Sequence, residues 1–407
     1  MIKGNALIGQ SGGPTSVINS SLAGVIETAL KSSFIENIYG MNFGIEGFMQ
    51  GQLYDLGKQP KSIIKGLRTT PSSALGSSRH KVQENDLPLI LDLLKKFNIR
   101  YFFLIGGNDT MDTIHRVEAF CRSQKYELTG IGIPKTVDND LFGTDHTPGF
   151  ASAARSNILN VMQAGILARD MQKVDRFVIF QTIGRDAGWL AAATAMAKKN
   201  EDDAPHLIYA PEFIFTREKF INDVDNCIKK YGWVSVVCGE GLKYPDGVPV
   251  SAATTKDKFN NTEFGAMGGA SVATSLHKII TSEFGYRGEF QIPESLIMSD
   301  FARASSVDLE EAFQCGVEAV KLAEKGDSGF MVSIKRISNN PYKIEFGKVP
   351  LKEVAVSAKP MPLEYFNAEG NHVSPLFIEY MKPLAGELPD FVRLEKNFVK
   401  LYQQYKP

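Results

Sequence analysis

Only four cysteines occur in this chain, and Cys121, Cys227, Cys238 and Cys315 lie far apart with no CxxC pair. That pattern excludes a disulfide scaffold and reads as scattered core thiols of a reducing compartment. Histidine is scarce, with six residues and none at zinc-ligand spacing. No stretch reaches 18 uncharged apolar residues, so no membrane span is expected. Met1-Ile2-Lys3-Gly4 leads straight into a strand rather than a signal-type segment, and a cytoplasmic location is the expectation. A dominant charge is missing too: 45 Lys and Arg face 46 Asp and Glu, a formal net charge of -1. Nucleic acid and membrane surfaces are therefore not expected partners, and an anionic substrate needs a local basic pocket.

What is present is a repeated grammar of short apolar runs that end in polar turns. Ala6 to Gly9 runs into Gln10-Ser11-Gly12-Gly13-Pro14, after which Ser16 to Leu30 has helical apolar spacing. Tyr101 to Ile105 gives way to Gly106-Gly107 and a helical span from Thr110 to Arg122. Thr129 to Ile133 precedes Pro134, Arg176 to Phe180 precedes Thr182-Ile183-Gly184-Arg185, and Trp233 to Val237 precedes Cys238-Gly239-Glu240-Gly241. Buried strands alternating with helices predict an α/β fold with mainly parallel sheets. With 407 residues the chain has room for two domains. In such folds ligands collect at the carboxyl ends of the strands, where each of these polar strings lies. A boundary is expected near Leu141 to His146, with Asp145 and His146 as plain turn residues. Ser251 to Thr262 reads as a polar loop, Val354 to Pro362 as a further connection, and Leu384 to Pro407 as a surface segment.

Two strings hold most of the chemistry: Gly106-Gly107-Asn108-Asp109-Thr110 and Pro134-Lys135-Thr136-Val137-Asp138-Asn139-Asp140. Gly12, Gly13 and Gly107 suit close approach of backbone N–H groups to an anion, or simply a tight turn. The glycine turns match neither GxxxxGK[ST] nor GxGxxG, which argues against a nucleotide switch or a dehydrogenase. Asp138, placed near a hydroxyl, is suited to take its proton during attack on phosphorus; positioning and charge neutralisation supply the rest of such a reaction. Lys135 needs an anionic partner, either Asp109, Asp138 or a ligand phosphate. Hard oxygen ligands and phosphate substrates make Mg2+ the expected ion. Arg79, Arg176 and Arg185 are candidate phosphate ligands. Glu240, between two glycines at a strand end, is placed to accept sugar hydroxyls.

Taken together with Ser11-Gly12-Gly13, Ile183-Gly184-Arg185-Asp186-Ala187-Gly188-Trp189 and Gly239-Glu240-Gly241, these strings closely resemble the phosphofructokinase family over roughly the first 300 residues. The resemblance implies two Rossmann-like three-layer α/β domains with an interdomain active-site cleft, and phosphorylation of the 1-hydroxyl of fructose 6-phosphate. It implies Asp138 as general base, with Thr136 and Arg185 in the catalytic group. Thr136, Val137, Ile183, Gly184, Arg185, Glu240, Tyr286 and Arg287 are implied on the sugar phosphate. Arg176 is similar to an arginine that reaches a neighbouring subunit's 6-phosphate, so a homo-oligomer, a dimer by preference, is expected. Asp109 and Lys135 replace glycines of the ATP-using members. That is the pattern of the pyrophosphate-dependent branch, with Gly12, Gly13, Arg79, Gly107 and Thr110 completing the donor site.

The chain departs from the family pattern at three places, one being that no basic residue matches the one usual just upstream of Tyr286, although Lys278 is near. Asn108 stands where an aspartate associated with magnesium is common, leaving Asn108, Asp109 and Asp138 as the candidate metal ligands. Glu289 stands where an arginine is expected after Tyr286, with Arg287 as its stand-in. The expected division is residues 1–140 plus 252–300 for the donor domain, 141–251 plus 301–383 for the sugar-phosphate domain, and 384–407 for a packing segment. An ATP-dependent enzyme needs an adenine pocket beside Gly76 to Arg79. A non-catalytic sugar-phosphate sensor is the other competing reading.

Overall fold

The computed structural model describes residues 2–251, 269–395, 397 and 399. The expected loop from Ser251 to Thr262 lies outside the described residues except at Ser251. Eleven strands form two sheets among the described residues. In chain order they are β1 (Gly4–Gln10), β2 (Ile35–Met41), β3 (Leu53–Asp55), β4 (Ile99–Gly106), β5 (Thr129–Pro134) and β6 (Phe177–Thr182). These are followed by β7 (Leu207–Tyr209), β8 (Val234–Gly239), β9 (Gly288–Gln291), β10 (Phe330–Asn339) and β11 (Tyr342–Pro350).

The large sheet runs β11-β10-β5-β4-β1-β2-β3 and is parallel at its centre, where β2, β1, β4, β5 and β10 pair. Every residue of β1 is buried, because helices cover both faces of a parallel sheet and leave no solvent side. Leu7 joins one apolar cluster and Ala6 and Ile8 another, as alternation along a strand requires. Each fully buried Leu or Ile contributes about 1.5–3 kcal/mol by leaving water. The small sheet runs β7-β8-β6-β9, all parallel. A second core lies between this sheet, the helix Phe150–Asp170 and the helix Pro375–Ala385. No helix among the described residues is long and apolar enough to cross a membrane.

The expected division of the chain is corrected after residue 251. The helix Val272–Phe284 and β9 belong to the small sheet, since β9 pairs with β6 through Phe177↔Gly288 to Phe180↔Gln291. The helix Ser306–Glu324 and the hairpin β10–β11 instead return to the large sheet, where β10 extends β5. Unpaired strand edges drive both placements: β6 and β5 each have a free edge that the next strand completes. Beyond the helix Pro375–Ala385 the chain is held by surface charges. Lys199 pairs with Asp390 at 3.0 Å, and Arg393 meets Asp202 at 2.7 Å and also Asp203.

The two long helices that back the large sheet's cleft edge cross at glycines. A Cβ on Gly24 would lie 2.1 Å from the Phe313 carbonyl oxygen, and one on Gly316 would lie 2.1 Å from that of Ser21. Only glycine permits that approach. It lets Ser20 Oγ, on the helix Ile18–Ala29, donate to the Leu309 carbonyl at 2.7 Å.

Candidate active site

A cleft opens where the carboxyl ends of β1, β4 and β5 in the large sheet face those of β6 and β8 in the small one. The half that holds the expected donor residues (the donor half), a cavity of about 350 Å3, is lined by the turns after β1, β4 and β5 with Arg79, His80 and Lys81. The half that holds most of the expected sugar-phosphate residues (the acceptor half), about 570 Å3, adds Val137, Ile183, Gly184, Asp186, Glu240, Glu294, Ser295 and Met298. Arg79, Asp109, Lys135, Thr136, Asp138, Asp140 and Arg185 line both halves.

Lys135 closes the donor half from below. The residue is only 4% exposed, and its Nζ donates to the Gly13 carbonyl at 2.9 Å. Gly12 has φ +77°, and a Cβ there would stand 3.1 Å from that same Nζ. The glycine turn and the lysine therefore occupy one another's space. Burial lowers the ammonium to about 8, against the attraction of Asp138. Asp109 is not its partner, contrary to one of the expected options. The Asp109 carboxylate is 74% exposed and pairs with Lys81 at 3.1 Å. Lys81 carries no turn or strand signal of its own, and its role is visible only in the fold.

Asp138 stands at the junction of the two halves. Thr136 Oγ1 accepts from the Asp138 N–H at 3.2 Å, and Thr136's own carbonyl accepts from Thr147 Oγ1 at 2.8 Å. Desolvation by the cleft walls, then the charges of Asp140 and Glu240, push the Asp138 carboxyl up to about 7, against Lys135 and Arg185. That value suits a group that must exchange a proton near neutrality. Glu240 is itself raised, chiefly by burial, although Gly184 N–H donates to its Oε1 at 3.3 Å. Gly241 is required behind it, since a Cβ would lie 1.7 Å from the Arg185 carbonyl oxygen.

The cleft brings together two glycine turns, a buried carboxyl near neutrality and a wall that carries Glu240. A Phosphofructokinase family profile matches residues 5–323. The chain belongs to the phosphofructokinase family. It is 35% identical over 406 residues to the "Pyrophosphate--fructose 6-phosphate 1-phosphotransferase" of Methylococcus capsulatus, with 96% of each chain covered. It is also 33% identical over 354 residues to the "Sulfofructose kinase" of Alkalicoccus urumqiensis, covering 86% of this chain and 88% of that one. Its fold matches the crystal structure of a pyrophosphate-dependent phosphofructokinase from Nitrosospira multiformis with a TM-score of 0.86 at 35% identity. That match covers 97% of this chain and 94% of the other.

Within this phosphofructokinase fold, three of the expected sugar-phosphate residues lie away from the chain's own cleft. Tyr286 and Arg287 precede β9 at the amino end of the small sheet, beside Arg176 at the start of β6. Arg176 lies over the Tyr286 ring at 5.6 Å, and its N–H donates to the Arg287 carbonyl at 2.7 Å. Arg287 pairs with Asp175 at 2.9 Å. A six-residue strand is about 20 Å long, so this group and Arg185 stand at opposite ends of the sheet. The expected register is corrected because β9 intervenes: the chain reaches the cleft only at Glu294, Ser295 and Met298. Those three carried no recognisable motif.

Asn108, Asp109 and Thr110 open the helix Asn108–Ser123 at the floor of the donor half. Asn108 Nδ2 donates to the Ser357 carbonyl at 3.4 Å. Among the described residues there is no group of three or more His, Cys, Asp or Glu able to hold a metal by itself. Asp138 and Asp140, both raised by burial, do face the same space, as a cation shared with an anionic substrate requires. His146, expected as a plain turn residue, is instead buried between Asp145 at 2.7 Å and Glu311 at 2.6 Å. Burial disfavours its charged form, but the Glu311 and Asp145 carboxylates outweigh that and raise it.

Proposed function

We propose that this protein reversibly transfers a phosphoryl group from pyrophosphate to the 1-hydroxyl of fructose 6-phosphate, giving fructose 1,6-bisphosphate and phosphate. The observation that carries the donor assignment is Lys135, locked beneath Gly12 and Gly13 where it presents positive charge to a small donor. Pyrophosphate needs no purine pocket. Arg79, Lys81, Lys135 and Arg185 surround the space for its charge. The Asp138 carboxylate takes the proton of the sugar hydroxyl as its oxygen forms the new bond to phosphorus and the bridging P–O bond breaks. The basic side chains offset the charge that builds on the leaving phosphate. Mg2+ bound with the substrate would be held through Asn108 and Asp140, leaving Asp138 free to act as the base, and would supply further charge neutralisation. Asp109, already paired with Lys81, fits a direct metal ligand less well.

The Arg176–Tyr286–Arg287 group suits a contribution to a second subunit, which favours a homodimer. Four unpaired thiols suit the cytoplasm. The test is a donor comparison with purified protein, Mg2+ and fructose 6-phosphate. Turnover with pyrophosphate supports the reading, and turnover with ATP but none with pyrophosphate overturns it.

One observation favours a second reading of the acceptor. The wall unique to the acceptor half carries Asp186, Glu240 and Glu294 and no lysine, arginine or histidine among the described residues. A phosphate monoester holds about -1.5 to -2 charge at pH 7, whereas a sulfonate holds a single charge and meets less repulsion there. Comparing kcat/KM for fructose 6-phosphate and for the corresponding sulfonated ketose decides between the two acceptors.

A further inference from the structure

The segment Ser357–Lys359 belongs to neither sheet, yet it touches the active-site loop from Asn139 to Asp145. Ala358 forms an isolated antiparallel bridge with Leu141, and the Lys359 N–H donates to the Asp140 carbonyl at 2.7 Å. The Lys359 side chain then turns beneath the loop. Its Nζ donates to the Asp145 carbonyl at 2.6 Å, the Thr144 carbonyl at 3.1 Å and Asn139 Oδ1 at 3.3 Å. An ammonium has three donors, and all three are used. The same Nζ lies 4.9 Å from the centre of the Trp189 ring, which opens the helix after the Ile183–Arg185 turn. Ser357 meanwhile accepts from Asn108 in the donor half.

Lys359 does not line either half of the cleft, and its ammonium is taken up by the loop. What it holds is the backbone that follows Asp138. Asn139 is a non-glycine residue at φ +56°, a conformation that costs about 1 kcal/mol or more for an L side chain and persists only when surroundings enforce it. The enforcement is visible: Asn139 Oδ1 accepts from Thr147 N–H at 3.1 Å as well as from Lys359, and its Nδ2 donates to the Tyr380 hydroxyl at 3.3 Å. Asp145 closes the far end, held by His146 and by Arg336 Nε at 2.9 Å.

We infer that Lys359 is a positioning residue: its ammonium clamps the loop 139–145 so that Asp138 faces the reacting hydroxyl. It ties that loop to the opposite catalytic turn through Trp189. The inference rests on the reading of Asp138 as the base. Full-length Lys359→Met, Lys359→Arg and Asp138→Asn proteins are assayed with pyrophosphate, Mg2+ and fructose 6-phosphate, and sugar-phosphate binding is measured by calorimetry. For Lys359→Met the expected result is a loss of roughly 30- to 100-fold in kcat, consistent with loss of base positioning. KM for both substrates should stay within about 3-fold and the binding stoichiometry should match wild type, so that unfolded protein does not account for the loss. Lys359→Arg, which keeps charge and donors, should recover at least a tenth of wild-type kcat. Wild-type kcat in Lys359→Met overturns the inference. So does Lys359→Arg that folds but is as inactive as Lys359→Met, or, should Lys359→Met not fold, Lys359→Arg below a tenth of wild-type kcat. An active Asp138→Asn removes the base reading instead, which separates the two failures.

Discussion

The donor and acceptor halves of the cleft are built on opposite principles. The donor half is made of turns that directly follow three neighbouring strands of one sheet, and it gathers Arg79, Lys81 and Lys135. The acceptor half is assembled from β6, β8 and the distant residues Glu294 to Met298, and its own wall is acidic. A compact basic pocket suits a small polyanion. A wall assembled from separate segments can change its acceptor by altering one segment while the donor machinery stays intact. Asp138 belongs to both halves, and its carboxyl near 7 is set first by burial, with Asp140 and Glu240 pushing it further up and Lys135 and Arg185 pulling it down.

Removing Asp138, the residue both halves share, has the largest expected effect. Asp138→Asn is expected to lower kcat by about 10²- to 10⁴-fold with KM little changed, as steady-state kinetics will show. Because burial holds the folded carboxyl above its unfolded value, the native state binds more protons between the ordinary carboxylate range and about 7. Stability from this group is therefore present at low pH and lost as pH rises through that window. Asp138→Asn should accordingly melt higher than wild type at pH 8, a gain absent at pH 4. Next, Lys135→Met tests the donor half alone: KM for pyrophosphate should rise on the order of 10²-fold, while binding of the sugar phosphate is retained. The Gly13 carbonyl loses its donor in that variant, costing about 1–3 kcal/mol in chemical denaturation.

Smaller effects probe the acceptor side. Glu240→Gln removes a negative charge that raises Asp138, so the acid limb of the kcat profile should move to lower pH. An unmoved limb would detach Asp138 from the acceptor wall. Least of all, Glu294→Lys should favour a phosphate-bearing acceptor over a sulfonated one by about tenfold, equivalent to 1.4 kcal/mol. Equal effects on both acceptors would remove Glu294 from specificity.

Legibility in the sequence follows the same division. Ile8-Gly9, Ile105-Gly106-Gly107 and Ile133-Pro134 mark strand ends sharply, because a buried parallel strand is an apolar run and its turn is not. The turns that hold Gly13, Gly107 and Lys135 are readable for that reason. Tyr286 and Arg287 misdirect because nothing in Gly285-Tyr286-Arg287-Gly288 announces that a strand begins at Gly288 and carries the chain four residues further. The hairpin β10–β11 does carry a signal, alternating residues on either side of Asn339-Asn340-Pro341. His146 and Lys359 were illegible in principle, since their meaning depends on partners 165 and 214 residues distant.

The crossing at Gly24 and Gly316 has a practical consequence for anyone transplanting specificity between members of this fold. One helix of that crossing follows the Ser11–Gly13 turn, and the other follows the Glu294–Met298 segment. Ser16 Oγ even reaches the Met298 carbonyl at 3.2 Å. A donor loop grafted together with its helix therefore drags the acceptor wall along unless both glycines come with it. Chimaeras cut between residues 24 and 316 meet a steric mismatch at this crossing wherever the other parent lacks either glycine.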